Sequence, residues 1–336
     1  MSKKILLSGY IGFSNFGDDV LHEVLISHLK KLDCKITALS SNPKLTEETF
    51  GIKSFYYKDL FKVISSIFKT DILIFSGGNL LQNETSNLSL FYYLFIAICS
   101  KIFFKKTVFY SNGIGPIDGF LQNLLTKIVL KTADFVSVRD EFSIEYLKNN
   151  KITGELTVDG LWELKVPEYC PKNLIGIQLR DYKNIAPDLY EKIAELISKN
   201  LPEYEVEIFS LQNKQDIAEC EKFQTILNKI NPNIVSKIIP YETPKKLSEE
   251  FSKLKYLIGM RYHANMLGLK LGVKILPISY SIKVTNLAKD FGIEYIKGEE
   301  TSNLDSAFHN LIDEKFTIKP ALKNYEWQNI DKIINN

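Results

Sequence analysis

The sequence predicts an α/β protein built from two doubly wound parallel sheets. Three observations carry that expectation. Short apolar runs recur along the chain, and each is followed by a polar or glycine-rich junction and then by a stretch of helical periodicity. The runs are continuous rather than alternating, as strands covered on both faces require. The rhythm breaks once, at residues 161–173, where two prolines interrupt it and no period is evident.

In the first series the runs are KILLSG (4–9), DILIFSG (71–77), TVFYSN (107–112) and FVSV (135–138). In the second they are LIGIQL (174–179), EVEIFSL (205–211), IVSKIIP (234–240), YLIGM (256–260) and VKILPIS (273–279). These define an amino-terminal Rossmann-like domain over 1–160, a linker over 161–173 and a carboxy-terminal Rossmann-like domain over 174–318, the two domains facing a cleft. Residues 319–336 are expected to form a final helix that packs back on the first domain. The segment LSLFYYLFIAICSKIFF (88–104) approaches the length of a membrane span, but Ser100 and Lys101 interrupt it. It reads as a fully buried helix under the sheet, the alternative being a helix that skims a membrane.

Length and composition limit the function classes. A chain of 336 residues accommodates about two domains. With 45% hydrophobic and 24% charged residues and a net charge of +2, bulk electrostatics gives no reason to expect a nucleic-acid partner. The basic cluster KIFFKK (101–106) reads as a solvated helix end. Four scattered cysteines provide neither a disulfide framework nor metal-ligand spacing, which fits a reducing cytoplasm. The apolar stretch at the amino terminus is too short for a signal peptide.

In doubly wound sheets, ligands bind beyond the carboxyl ends of the strands. Every unusual cluster in this sequence falls at such a junction. Among them are all three arginines of an otherwise lysine-rich chain: Arg139, Arg180 and Arg261. Arginine's planar fork grips a carboxylate or phosphate through two bonds, which lysine cannot do. The alternative is that each arginine braces a structural acid, and Asp140 and Asp181 directly follow two of them. Arg261 and His263 are placed to open one helix and Lys283 the next, with Tyr280 just before it; if the two preceding strands are neighbours, this cationic set converges. His22, His28 and His309 sit in helical polar patterns and are assigned no chemistry.

The first junction, GYIGFSNFGDD (9–19), lacks the spacing of a dinucleotide fingerprint, and its helix opens with Asp18 and Asp19, which would repel a phosphate. It therefore suits sugar hydroxyls, with Gly17, Asp18 and Asp19 as contacts. SGGNLLQN (76–83) offers Gly77, Gly78, Asn79 and Gln82; SNGIGP (111–116) offers Asn112 and Gly113; LQNKQD (211–216) offers Gln212 and Asp216. No Walker lysine motif, zinc-protease motif or serine-hydrolase elbow is present.

Taken in order, GYIGFSNFGDD, SGGNLLQN, NGIGP, VSVRDEFS, FSLQNKQD, MRYHA and ISYSIKV resemble the motifs of the polysaccharide pyruvyltransferase family, over residues 8 to about 292. The chain departs from the family pattern at Ser76, Asn112, Asp19, Ser281-Ile282 and Asp159-Gly160. The resemblance implies a GT-B-like fold and transfer of pyruvate from phosphoenolpyruvate to a sugar as a cyclic ketal. It implies that Arg139, His263 and Lys283 engage phosphoenolpyruvate, on the carboxy-terminal side, and that the sugar lies on the amino-terminal side. Arg261, Arg180 and Tyr280 would support donor binding, and Asp19 would serve as base for the sugar hydroxyl.

No cofactor or metal is called for, phosphoenolpyruvate being a substrate. The expected acceptor is a sugar of a cell-surface polysaccharide or its lipid-linked precursor. That places the protein in the cytoplasm, at the inner face of the membrane where the acceptor is lipid-linked. Two other readings of the same residues are a GT-B glycosyltransferase using a nucleotide sugar and a non-catalytic sugar- or anion-binding protein.

Overall fold

Continuous apolar strands need cover on both faces, and the computed structural model supplies it in two separate sheets, each fully parallel. The structure describes residues 2–84, 86–313 and 327–335. The chain divides into two units: 1–13, 17–164 and 323–336 form the first, and 14–16 with 165–322 the second.

The first unit begins with β1 (Lys4–Ser8), α1 (Phe16–Lys31), β2 (Lys35–Ser40), α2 (Pro43–Phe50) and β3 (Lys53–Tyr56). It continues with α3 (Leu60–Lys69), β4 (Ile72–Ser76), α4 (Asn87–Ile102), β5 (Lys106–Asn112) and α5 (Phe120–Thr132). β6 (Phe135–Val138), α6 (Glu141–Asn149) and β7 (Glu155–Leu156) complete the seven-stranded order β3-β2-β1-β4-β5-β6-β7. Chain direction reverses its march across the sheet between β1 and β4, the switch point at which such sheets bind ligands. Local chemistry sets the helix ends. Asn42, Asp59 and Asp140 accept from the backbone N–H of Leu45, Lys62 and Ser143 at the starts of α2, α3 and α6. Gly51 closes α2 in the left-handed conformation.

The second unit holds β8 (Leu174–Gln178), α7 (Leu189–Asn200), β9 (Glu205–Phe209), α8 (Asn213–Ile230), β10 (Ser236–Ile239) and α9 (Pro244–Phe251). β11 (Tyr256–Gly259), α10 (Tyr262–Leu271), β12 (Lys274–Ser279), α11 (Ile282–Phe291), β13 (Ile296–Lys297) and α12 (Leu304–Ile312) follow. Its six strands run in the order β10-β9-β8-β11-β12-β13, the same winding with the switch between β8 and β11.

One face of the first sheet is covered by α3–α6 through Val63, Leu94, Val129 and Leu147. The other is covered by α1 and by a last helix, α13 (Gln328–Asn335). Ile330 and Ile334 of α13 are buried against Ile5, Leu7, Ile72 and Val108. His28 reinforces that join: its ring stacks on Trp327 at 3.8 Å between centroids, and its Nε2 lies 2.6 Å from Asp331 Oδ1. Residues 319–326 of the expected final helix lie outside the described residues.

The segment 88–104 differs from expectation. α4 buries Leu90, Tyr93, Leu94, Ile96 and Ala97 against the sheet, but Leu88, Phe95, Ile98 and Ile102 are exposed. An apolar sequence all round the helix gave no sign of which side would be left uncovered. KIFFKK is also only partly a solvated end: Lys101 pairs with Asp134 at 2.5 Å, and Lys106 donates to the carbonyl of Ile333.

Because Ile330 is wholly buried, Ile330→Ala should destabilise the protein by about 2–4 kcal/mol through lost burial and an unfilled cavity. Urea unfolding followed by circular dichroism reads this as a lower midpoint with an unchanged slope.

Candidate functional site

In the second unit the carboxyl ends of β8, β9, β11 and β12 bring four junctions onto one rim. β11 and β12 are neighbours in register, Gly259 opposite Pro277, so the helices that follow them start side by side. Arg261 is the N-cap of α10 and His263 its second residue; Ser281 is the N-cap of α11 and Lys283 its second residue. Neither N-cap side chain satisfies the backbone N–H groups of its helix. Two helix amino termini, each with donors to offer and a basic side chain in its first turn, form a setting suited to an anion.

Arg261 itself is committed elsewhere. Its guanidinium meets Asp216 through both Nε and Nη2, at 2.8 and 2.6 Å, and its backbone N–H donates to Gln178 Oε1 at 2.6 Å. Asp216 is completely buried and also accepts from the N–H groups of Leu211 and Gln212, each at 3.0 Å. The expectation that Asp216 touches substrate is corrected here, because its oxygens are fully engaged inside the unit. Arg261 and Asp216 instead tie the start of α10 to the β9–α8 junction. Gln212 is likewise buried and accepts from Asn15 Nδ2 at 3.2 Å.

Arg180 has a different setting. Its Nη1 donates to the Tyr280 hydroxyl at 3.1 Å, and the guanidinium lies 5.3 Å from the centre of that ring, with Tyr182 packed on Tyr280 at 4.7 Å. Its Nε is buried with no hydrogen-bond partner. The Tyr280 hydroxyl and ring thus anchor the guanidinium without consuming all of its donors.

In the first unit the loops after β4 and β5 are locked to each other. Asn112 Nδ2 donates to the Gly77 carbonyl at 2.7 Å, the Gly113 N–H to the Gly78 carbonyl at 2.8 Å, and Asn79 Nδ2 to the Gly115 carbonyl at 2.9 Å. Gly77 and Gly78 have φ of 59° and 71°, and a Cβ at Gly78 would lie 2.8 Å from Asp18 Oδ1. These glycines are therefore required by a left-handed backbone and by the close approach of the first turn of α1. Asp18 and Asp19 are both half-buried in that turn.

Arg139 follows β6, and its Nη1 meets Asp159 Oδ2 at 2.6 Å, with both side chains almost entirely buried. The structural acids of Arg139 and Arg261 are thus Asp159 and Asp216. The adjacent Asp140 is occupied at the start of α6, where it accepts from the Ser143 N–H and hydroxyl. Sequence adjacency misled because a side chain at a strand end reaches across to another strand's junction, β7's for Arg139 and β9's for Arg261, and not to its own neighbour in sequence.

His22, assigned no chemistry from its helical pattern, is the residue that reading missed. It is fully buried one turn after Asp18, and neither ring nitrogen has a hydrogen-bond partner. A Cβ at Gly9 would lie 2.8 Å from its Nε2 and 2.9 Å from Ser76 Oγ, so the imidazole and that hydroxyl both approach the backbone just beyond β1. The hydroxyls of Ser8 and Ser76 are also buried without partners. Burial pushes the imidazole down to about 3, against a weaker upward pull from the Asp18 backbone carbonyl. The neutral imidazole and the two serine hydroxyls thus gather buried polar atoms around Gly9.

Comparison with known proteins now adds to this geometry. A model of the polysaccharide pyruvyl transferase family matches residues 15–282. The chain belongs to that family. The family match takes in Arg139, Arg180, Arg261 and His263 and ends one residue before Lys283. A search of curated proteins finds no significant match.

Solved structures match along the whole chain at low identity. UDP-GlcNAc 2-epimerase from Methanocaldococcus jannaschii is 14% identical with a TM-score of 0.67, covering 100% of this chain and 99% of that one. HepE of Anabaena, solved in complex with UDP and glucose, is 10% identical with a TM-score of 0.62, covering 93% and 90%. UDP-GlcNAc 2-epimerase from Neisseria meningitidis, solved with UDP-GlcNAc, is 13% identical with a TM-score of 0.61, covering 93% and 92%. These likenesses establish the fold: this member of the family has the GT-B-like pair of Rossmann-like sheets, with seven and six strands.

The geometry makes two predictions. Asp216→Asn leaves Arg261 buried without its counter-charge and should cost about 3–5 kcal/mol of stability, read from the urea midpoint. His22 has a folded pKa below its unfolded one, so it favours the fold fully above the unfolded value of 6.5, and that contribution is lost as pH falls toward about 3. His22→Gln should therefore flatten the decline in stability between neutral and pH 5, by about 2 kcal/mol. Denaturant titrations of both proteins at the two pH values check it.

Proposed function

We propose that the protein transfers the pyruvyl group of phosphoenolpyruvate to a saccharide as a cyclic ketal, releasing phosphate. The observation that carries this reading is the pair of adjacent amino termini of α10 and α11, with His263 and Lys283 in their first turns. Phosphoenolpyruvate carries a phosphate and a carboxylate on a three-carbon frame, and two helix starts with cationic side chains complement such a guest. Family membership supplies the reaction class.

In this mechanism the methylene carbon of the donor takes a proton, delivered by His263, which leaves an oxocarbenium-like centre at the adjacent carbon. One sugar hydroxyl attacks that centre and gives up its proton, Asp19 being the base. A second hydroxyl of the same sugar then displaces phosphate, closing the ketal ring, and its proton leaves with the phosphate. Lys283 offsets the donor's charge, and Arg180, hydrogen-bonded to the Tyr280 hydroxyl, meets the carboxylate. Arg139, buried against Asp159, braces its own junction instead of meeting the donor. The acceptor is a sugar of a cell-surface polysaccharide or of its lipid-linked precursor, received by the glycine- and amide-rich loops around Gly17, Asp18, Asn79 and Gln82.

His263→Gln and Lys283→Gln should each lower phosphate release from phosphoenolpyruvate, in the presence of a sugar acceptor, by ~10²–10³-fold, with the melting temperature unchanged. Phosphoenolpyruvate should raise the melting temperature of the wild-type protein and fail to do so for Lys283→Gln. Stabilisation by UDP and not by phosphoenolpyruvate would overturn pyruvyl transfer in favour of a nucleotide-sugar reaction, the ligand class present in the HepE complex.

A further inference from the structure

The face of the first unit formed by α3, α4 and α5 has an unusual exterior. On α3, Phe61, Ile64 and Phe68 are exposed at helical spacing; on α4, Leu88, Phe95, Ile98 and Ile102; on α5, Leu121, Leu124 and Ile128. Each helix therefore buries one stripe against the sheet and turns a second apolar stripe outward. The helices are neighbours: Phe68 packs on Phe103 at 5.6 Å, and Gln122 donates to Asn87 at 3.2 Å. Exposure is nearly complete where it is most costly, at 90% for Phe61, 97% for Phe104 and 85% for Phe120. A contiguous apolar face of this kind marks an interaction surface.

The charge around it selects the partner. The three helices contain no aspartate or glutamate. At their carboxyl ends stand Lys69 and Lys131, with Lys105 just beyond α4, its ammonium 5.7 Å from the Phe68 ring centre. Of the acids flanking α3 and α5, Asp59 and Asp134 are paired with Lys62 and Lys101, and Asp71 accepts from the Lys4 backbone N–H. The same end of the unit carries a groove of ≈ 720 Å³ between α3 and the strand starts, lined by Lys4, Lys35, Lys53, Lys62 and Lys69. Glu84 and Asp118 lie at the opposite end of the helices.

We propose that this face docks the protein on a membrane surface containing anionic phospholipid, with the aromatic and aliphatic stripes entering the headgroup boundary and the lysines meeting phosphate groups. Apolar area plus basic charge is what interfacial binding needs. A second copy of the chain is the competing occupant, and the light-scattering arm of the test separates it from a bilayer. Docking here means lying on the bilayer, since no helix among the described residues is long and apolar enough to cross it. The proposal is independent of the reaction performed.

The test is co-sedimentation of the full chain with vesicles of phosphatidylcholine, with and without phosphatidylglycerol. The wild-type protein should sediment with the phosphatidylglycerol-containing vesicles only. Two variants should each bind at least about tenfold more weakly while keeping the wild-type circular dichroism spectrum. One combines Phe61→Ser, Phe68→Ser and Phe104→Ser; the other combines Lys69→Gln, Lys105→Gln and Lys131→Gln. Equal binding to both kinds of vesicle, no binding to either, or folded variants that bind like wild type would overturn it. So would a wild-type dimer, measured by light scattering, that the phenylalanine substitutions convert to monomer.

Discussion

A strand covered on both faces can place polar side chains within its length only where they are paired, and elsewhere must keep them at its ends. Mid-strand Glu207 meets that condition by pairing with Lys237, and the chemistry of the chain collects at the strand ends. β4, β8 and β11 are buried along their whole length, and the residues able to bind or react are gathered where these strands stop and helices begin. Parallel pairing adds direction. All strands of a unit end on one side, so helix amino termini collect there and present their unpaired N–H groups together.

That gathering has a cost, which the structure offsets with charge pairs and glycines. Arg261 and Asp216 hold two junctions of the second unit in fixed relation, and Arg139 and Asp159 do the same in the first. A pair of this kind adds little net stability over an apolar one but fixes geometry, because any other arrangement strands a buried charge. The pairs therefore belong to the framework, and the first-turn positions of His263 and Lys283 depend on it. Removing every spare atom from Gly77, Gly78 and Gly113 lets the loops after β4 and β5 close on each other and on Asp18.

The long central strands and the junctions after them were legible in the sequence, because apolar runs such as ILIF and KILPIS leave no alternative to burial. β2 and β3 were not. KITALS alternates with polar residues and KSFY is a short edge strand, and neither stands out without its neighbour in the sheet. The placing of His263 and Lys283 at helix starts could be read from the run preceding each. The partners of the arginines could not, since Asp159 and Asp216 are brought near by the register of strands distant in sequence. His22 escaped for a related reason: a histidine in a helix looks solvated until the fold decides which side faces the sheet. For α4 the same uncertainty ran the other way, and an apolar helix proved to be covered on one side only.

The first unit draws α13 from the far end of the chain, and Ile330 and Ile334 complete the packing under β1 and β4. The flank that α1 only partly covers is thus closed by residues that follow the whole of the second unit's sheet in sequence, so the first unit is complete only once segment 165–322 has been synthesised. A chain lacking α13 would therefore injure the unit whose strands come earliest in the sequence.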